Sequence, residues 1–253
     1  MKPRYGRLYA ATVLRPLAEQ VVGALDVQPG ETTCDLICDG GTLGVAMGAA
    51  VGRHGTVVLV ETDDGLLQSA IREVAETGCE VSSQVADRDA SPLMEQSCDR
   101  IASLCTQGFW DGAALFSVAE HATRPGGCAA IVTWDPALPP LHEVALVDAL
   151  RDVCGMHSRF LECCLASVDT VGAAGWEQVA LHDVARFDGI GGYWAAMVVA
   201  RPLAAEIEDV SDHLLSAVRA ACQRALEPCT AADGTMLIPV HATMYRRAAG
   251  TGA

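Results

Sequence analysis

Apolar residues along this chain recur with two alternating periods. Leu14, Leu17, Val21, Val22 and Leu25 fall at helical spacing and predict an amphipathic helix. Pro29-Gly30 closes that segment, and residues 33–38 form a short apolar run between glycines, as a buried strand requires. The Ala- and Gly-rich stretch 42–51 predicts a closely packed helix, 56–60 a second strand and 66–74 a second helix. Residues 80–86 and 101–105 read as further strands, 113–122 as a helix, Pro125-Gly126-Gly127 as a turn, and 128–134 as a strong strand.

After Trp134 the pattern loosens. Pro136, Pro139 and Pro140 mark a loop, followed by helices near 142–153 and 161–174. Segments 177–184 and 236–245 read as late strands, and 186–233 between them is a helical insertion too long for a plain connection. Strands that are apolar throughout, alternating with helices, indicate a mostly parallel sheet covered on both faces. The expectation is an α/β fold over residues 1–253 as one domain, with cap elements at about 135–160 and 186–233.

Composition narrows the partners. With 253 residues, 51% of them hydrophobic, the chain is long enough to bury a substantial core. A net charge of −15 argues against nucleic acid, whose binding needs clustered Lys and Arg. No apolar run reaches the ~18 residues of a membrane helix, and residues 1–8 lack the features of a secretory signal. The expectation is therefore a cytoplasmic protein, without membrane or nucleic-acid partners, acting on a small molecule; an assembly of identical copies is compatible with it. The 11 cysteines are odd in number and include no Cys-x-x-Cys pair. They read as buried thiols acting as small hydrophobes, with no metal site. Lys2 is the one lysine, at an end expected to fray, which removes lysine-based covalent chemistry.

The candidate chemistry lies in the first strand-to-helix turn, Asp35-Leu36-Ile37-Cys38-Asp39-Gly40-Gly41. In open α/β sheets ligands bind at the carboxyl ends of strands, and a helix N-terminus there favours anionic groups. Glu61 follows Gly41 by 20 residues, at the end of the second strand, where a carboxylate can accept hydrogen bonds from both ribose hydroxyls. This layout suits dinucleotide and adenosyl cofactors alike.

The wider set of motifs resembles class I S-adenosylmethionine-dependent methyltransferases, in particular the small-molecule branch of the ubiquinone/menaquinone type. The matching residues, in order, are Asp35, Cys38 and Gly41, then Glu61, Leu66-Leu67, Asp87, Cys98-Asp99, Arg124-Pro125-Gly126-Gly127 and Ala174-Gly175-Trp176. The resemblance implies a three-layer Rossmann-like fold with a seven-stranded sheet whose last strand is antiparallel. It implies S-adenosylmethionine as cofactor, with residues 35–41 cradling the methionine end and Glu61 holding the ribose. Asp87 would meet the adenine amino group, Leu66 or Leu67 would pack on the adenine, and residues from Gln107 to Trp110 would close over the cofactor.

The chain departs from the family pattern at three glycine positions, now Ile37, Asp39 and Leu59. Asp39 places a negative charge where the cofactor's carboxylate would sit, and like charges repel at that range. It could instead cap the following helix and stand in for the ligand carboxylate.

Other candidates are weaker. His182-Asp183 could be a base and its orienter, but strand alternation puts the two on opposite faces. His121 reads as a surface residue, whereas His142 and His213 fall in the cap regions. Trp134, Tyr193 and Trp194 are either pocket lining or plain core. Arg246-Arg247 reads as a solvated pair. The expected activity is methyl transfer to a small molecule of specialised metabolism, with no catalytic residue assigned. Two alternatives remain open: a cofactor-independent cyclase, isomerase or lyase on the same fold, and a non-catalytic partner subunit.

Overall fold

A computed structural model describes residues 6–86, 93–105, 112–135, 137–165, 173–199 and 203–250. Seven strands form one sheet in the order β3-β2-β1-β4-β5-β7-β6. They are β1 (Thr32–Leu36), β2 (Thr56–Glu61), β3 (Glu80–Val85), β4 (Cys98–Leu104), β5 (Thr123–Trp134), β6 (Glu177–Phe187) and β7 (Met236–Ala248). β7 runs antiparallel to both β5 and β6, while β3, β2, β1, β4 and β5 pair in parallel. This is the seven-stranded, mostly parallel sheet expected of the chain.

Strand alternation divides the core in two. Val57 and Leu59 of β2, Ala102 of β4 and Val132 of β5 face one cluster; Val60, Ile101 and Ile131 face the other. The first cluster packs under α2 (Arg15–Ala24), α3 (Thr42–Val51) and α4 (Asp64–Ala75), and the second under α5 (Gly112–Ala122). In α2 the buried stripe is Leu17, Ala18 and Val21, and Pro16 stands directly after a widened π-helical turn. A helical lead, α1 (Arg7–Tyr9), and a π-helical turn (Ala10–Leu14) precede it. Asp63 caps α4 by accepting from the Leu66 N–H at 2.9 Å.

Glycine in α3 explains how Leu59 is tolerated. A Cβ on Gly44 would stand 2.9 Å from Leu59 Cδ2 and from Val74 Cγ2, so the helix approaches β2 only because that atom is absent. The side chain gained on the strand is matched by one missing on the helix.

Two expectations change. The Pro125-Gly126-Gly127 turn lies inside β5, which pairs with β4 at Thr123 and again from Cys128. The residues between are extruded at a register shift. The helix expected over 161–174 is α7 (Arg159–Leu165); Ala173 to Trp176 form a turn, and residues 166–172 lie outside the described ones. The insertion between β6 and β7 is helical as expected, with α8 (Gly189–Trp194), a π-helical turn (Ala195–Val199), α9 (Leu203–Glu206) and α10 (Asp212–Ala225). α10 packs on α6 (Leu141–Cys154), the helix that follows β5. Among the described residues no helix is long and apolar enough to cross a membrane.

Candidate active site

The turn after β1 keeps a left-handed path without the glycines that usually allow it. Ile37 has φ +63° and Asp39 φ +46°, and Gly41 follows at φ +84°. A left-handed L-residue costs roughly 1–2 kcal/mol, and a β-branched one such as Ile37 is rarer still. The surroundings hold it there. Ile37 is buried in the α5-side core, the Cys38 N–H donates to Val60 O at 2.9 Å, and the Gly41 N–H donates to Cys38 O at 2.7 Å. The turn therefore crosses from β1 toward the end of β2, where Glu61 stands.

Three carboxyl groups meet at this crossing: Asp35 is 1%, Asp39 8% and Glu61 0% exposed. The Asp39 N–H donates to Glu61 Oε2 at 2.9 Å. The other oxygen, Oε1, accepts from the Thr62 N–H at 2.7 Å and the Thr62 hydroxyl at 3.0 Å. Asp35 Oδ2 accepts from the Gly44 N–H at 2.8 Å, so the first turn of α3 is tied to β1 by Asp35. At Gly44 the side-chain cap is Asp35, and the backbone of Asp39 is turned toward Glu61. Burial pushes the Asp35 carboxyl up to about 7; the Gly44 N–H opposes that rise, and the charges of Glu61 and Asp39 add to it.

Beside the turn, Cys38 is buried, and Leu66 and Leu67 both lie in the interior at the start of α4. Asp87 and the segment from Gln107 to Trp110 lie outside the described residues.

A second group of side chains gathers at the carboxyl end of β5. Trp134 closes that strand, and its indole N–H is buried with no hydrogen-bond partner among the described residues. Its ring meets the fully buried His142 of α6 edge-on at 6.1 Å between centroids. His142 Nε2 and the Tyr9 hydroxyl share a hydrogen bond of 3.0 Å, and the Tyr193 hydroxyl donates to His142 O at 2.7 Å. Tyr193, on α8, packs edge-on against Phe187. Trp194 is half-buried against the same core. The structure thus joins Trp134 and Tyr193 through His142, and adds Tyr9, which sequence reasoning missed. The partners Tyr9 and His142 are 133 residues apart, and no local pattern connects them.

The remaining candidates separate. His121 and His213 are exposed. His182 reaches across to His241, while Asp183 accepts from Gln20 Nε2 at 3.1 Å, so alternation does keep this pair from acting together. Arg246 pairs with Glu177 at 2.7 Å and Arg247 with Glu120, as a surface pair would.

No family model matches the chain, and no curated protein matches its sequence. Solved structures do match its fold. The YcgJ protein of Bacillus subtilis superposes with a TM-score of 0.59 at 12% identity, over 93% of this chain and 98% of its own. A Bacillus halodurans protein provisionally assigned as a methyltransferase gives 0.56 at 13%, over 92% and 99%. The [4+2]-cyclase SpnF gives 0.54 at 13%, over 100% and 89%. Identities this low speak to architecture: the chain has the three-layer, Rossmann-like α/β fold of the methyltransferases, with a seven-stranded, mostly parallel sheet.

Proposed function

We propose that this protein binds S-adenosylmethionine at the carboxyl edge of β1 and β2 and transfers its methyl group to a small-molecule acceptor under the α6–α8 cap. One observation carries the reading: a left-handed turn, held at two residues that are not glycine, is bonded through the Asp39 N–H to the buried Glu61 carboxylate. Sparsely populated backbone kept by its surroundings is a mark of ligand-binding turns. The residues fit an adenosyl group. Glu61 would take the ribose, exchanging the Thr62 hydroxyl for a ribose hydroxyl, and Asp35 fixes α3 against the turn. Asp87 and Gln107 would complete the adenine side, following the family resemblance. When bound, the cofactor supplies an electrophilic methyl group on a sulfonium.

The chain's own residues supply the acceptor end. The Trp134 N–H can donate to an oxygen of the acceptor. The Tyr9 hydroxyl holds the His142 ring behind Trp134, and Tyr193 fixes the backbone of α6. Alignment of acceptor and methyl does the rest of the work. The resemblance to the ubiquinone/menaquinone-type branch supports a small organic acceptor, which we assign to specialised metabolism in the cytoplasm.

A second reading has its own observation. The Asp39 carboxylate is buried in the turn, where the cofactor's carboxylate would meet it, and this favours a cofactor-independent cyclase, isomerase or lyase, or a non-catalytic subunit. Mass spectrometry of small molecules released by denaturing the purified protein separates the two. An adenosyl compound supports methyl transfer. Its absence, with no calorimetric response to S-adenosylmethionine in wild type or Asp39→Gly, establishes the second reading.

A further inference from the structure

His182 of β6 and His241 of β7 stand directly opposite each other in the antiparallel ladder. Their Nδ1 atoms are 2.9 Å apart, with the rings edge-to-face at 5.1 Å between centroids. His182 is exposed and His241 half-buried, so water and ions reach the pair. We propose that the two imidazoles form a binding site for a divalent transition-metal ion of tetragonal preference, nickel(II) or copper(II).

Two imidazoles that meet Nδ1 to Nδ1 can exchange their shared proton for an ion seated beside the N–N line, once the rings tilt to turn both lone pairs toward it. Metal–nitrogen bonds of about 2.0–2.1 Å across a 2.9 Å gap give an angle of about 90° at the metal. That is the angle between adjacent ligands in square-planar or octahedral coordination. A tetrahedral ion such as zinc needs about 3.3–3.4 Å between the same nitrogens, so the rings would have to swing apart. Among the described residues no group of three His, Cys, Asp or Glu side chains gathers to hold a metal, so water fills the remaining positions.

The β-ladder holds both ligands on one face before the ion arrives. The two backbones are paired at every residue from Glu177↔Arg246 to Phe187↔Met236, so little ordering is left for the metal to impose. The same face carries charge of the right sign. Asp135 follows Trp134, whose partner is Ala242, and its N–H reaches His241 O at 3.3 Å. Register therefore puts Asp135 beside His241, on the side away from His182, where its charge favours a cation without ligating it. The ligands lie 59 residues apart in sequence, which is why no metal-binding spacing announces them.

The test is calorimetric titration of the whole protein with nickel(II) in mildly alkaline buffer. Wild type should bind one equivalent that the double variant lacks, weakened about tenfold or more in His182→Asn and in His241→Asn, because each single change breaks the chelate. Near-ultraviolet circular dichroism checks that the variants keep the native fold, as substitutions on an exposed sheet face should. The double variant also accounts for any nickel held by thiols. No binding by wild type, or equal binding by the double variant, overturns the site. Zinc binding as tight as nickel overturns its tetragonal character.

Discussion

Asp35 makes the protein's stability depend on pH in an unusual direction. Its carboxyl is pushed from 3.8 up to about 7, mainly by burial at the end of β1. The folded state therefore holds a proton that the unfolded chain releases near pH 4. This stabilisation is complete below the unfolded pKa and is lost as pH rises through the folded one. A rise of about three pKa units at 1.36 kcal/mol each amounts to about 4 kcal/mol, a large part of the ~5–15 kcal/mol that holds a typical domain. Asp35→Asn tests this, since the amide cannot ionise yet keeps an oxygen for the Gly44 N–H. Urea denaturation followed by circular dichroism should give the variant a higher midpoint than wild type at pH 8, with the two curves converging toward pH 4. Parallel curves across that window, or a gap that widens toward acid, would refute the argument.

Four further outcomes follow from the same geometry. Tyr9→Phe should cost roughly 1–3 kcal/mol in chemical denaturation, because it removes the hydroxyl bonded to buried His142 Nε2. Trp134→Phe should leave stability within about 1 kcal/mol of wild type, lost packing being offset by removal of an unmatched buried donor, while turnover falls in a methylation assay on any accepted substrate. Gly41→Ala should lower the thermal midpoint and weaken cofactor binding, since φ is +84° and the new Cβ would lie 3.0 Å from Ala70 Cα. Asp39→Gly should raise stability by roughly 1 kcal/mol through relief of left-handed strain, and should tighten S-adenosylmethionine binding about tenfold in calorimetry.

Periodicity exposed most of the architecture because the central strands β1, β2, β4 and β5 are buried along most of their length and α2 and α4 each carry one apolar stripe. Each of the seven strands overlaps the segment the pattern gives it, with β5 beginning five residues earlier, and α3 runs from Thr42 to Val51 as expected. The errors arose where local signals compete with pairing. Pro125-Gly126-Gly127 has turn chemistry, yet β4 pairs on either side of it and turns it into an extruded segment of β5. The pattern also could not say how Leu59 would be absorbed, since the answer lies in the absent Cβ of Gly44 on another element. The positions of the turn and of Glu61 were legible because the one follows β1 and the other ends β2. Sequence alone could not show that Ile37 and Asp39 keep the left-handed path of the glycines they replace, nor that Asp35 would bond the first turn of α3. Long-range pairs such as Tyr9 with His142 and His182 with His241 come from the order of strands and helices in space, which no window of sequence contains.

The central claim is that the turn after β1 and the carboxylate of Glu61 form an adenosyl site. A crystal structure of the protein grown with S-adenosylmethionine tests it most directly. The account predicts ribose hydroxyls within hydrogen-bonding distance of Glu61, with the adenosyl group lying across the Ile37–Gly41 turn. An empty β1–β2 edge in crystals of both wild type and Asp39→Gly, or the ligand bound elsewhere, would contradict it.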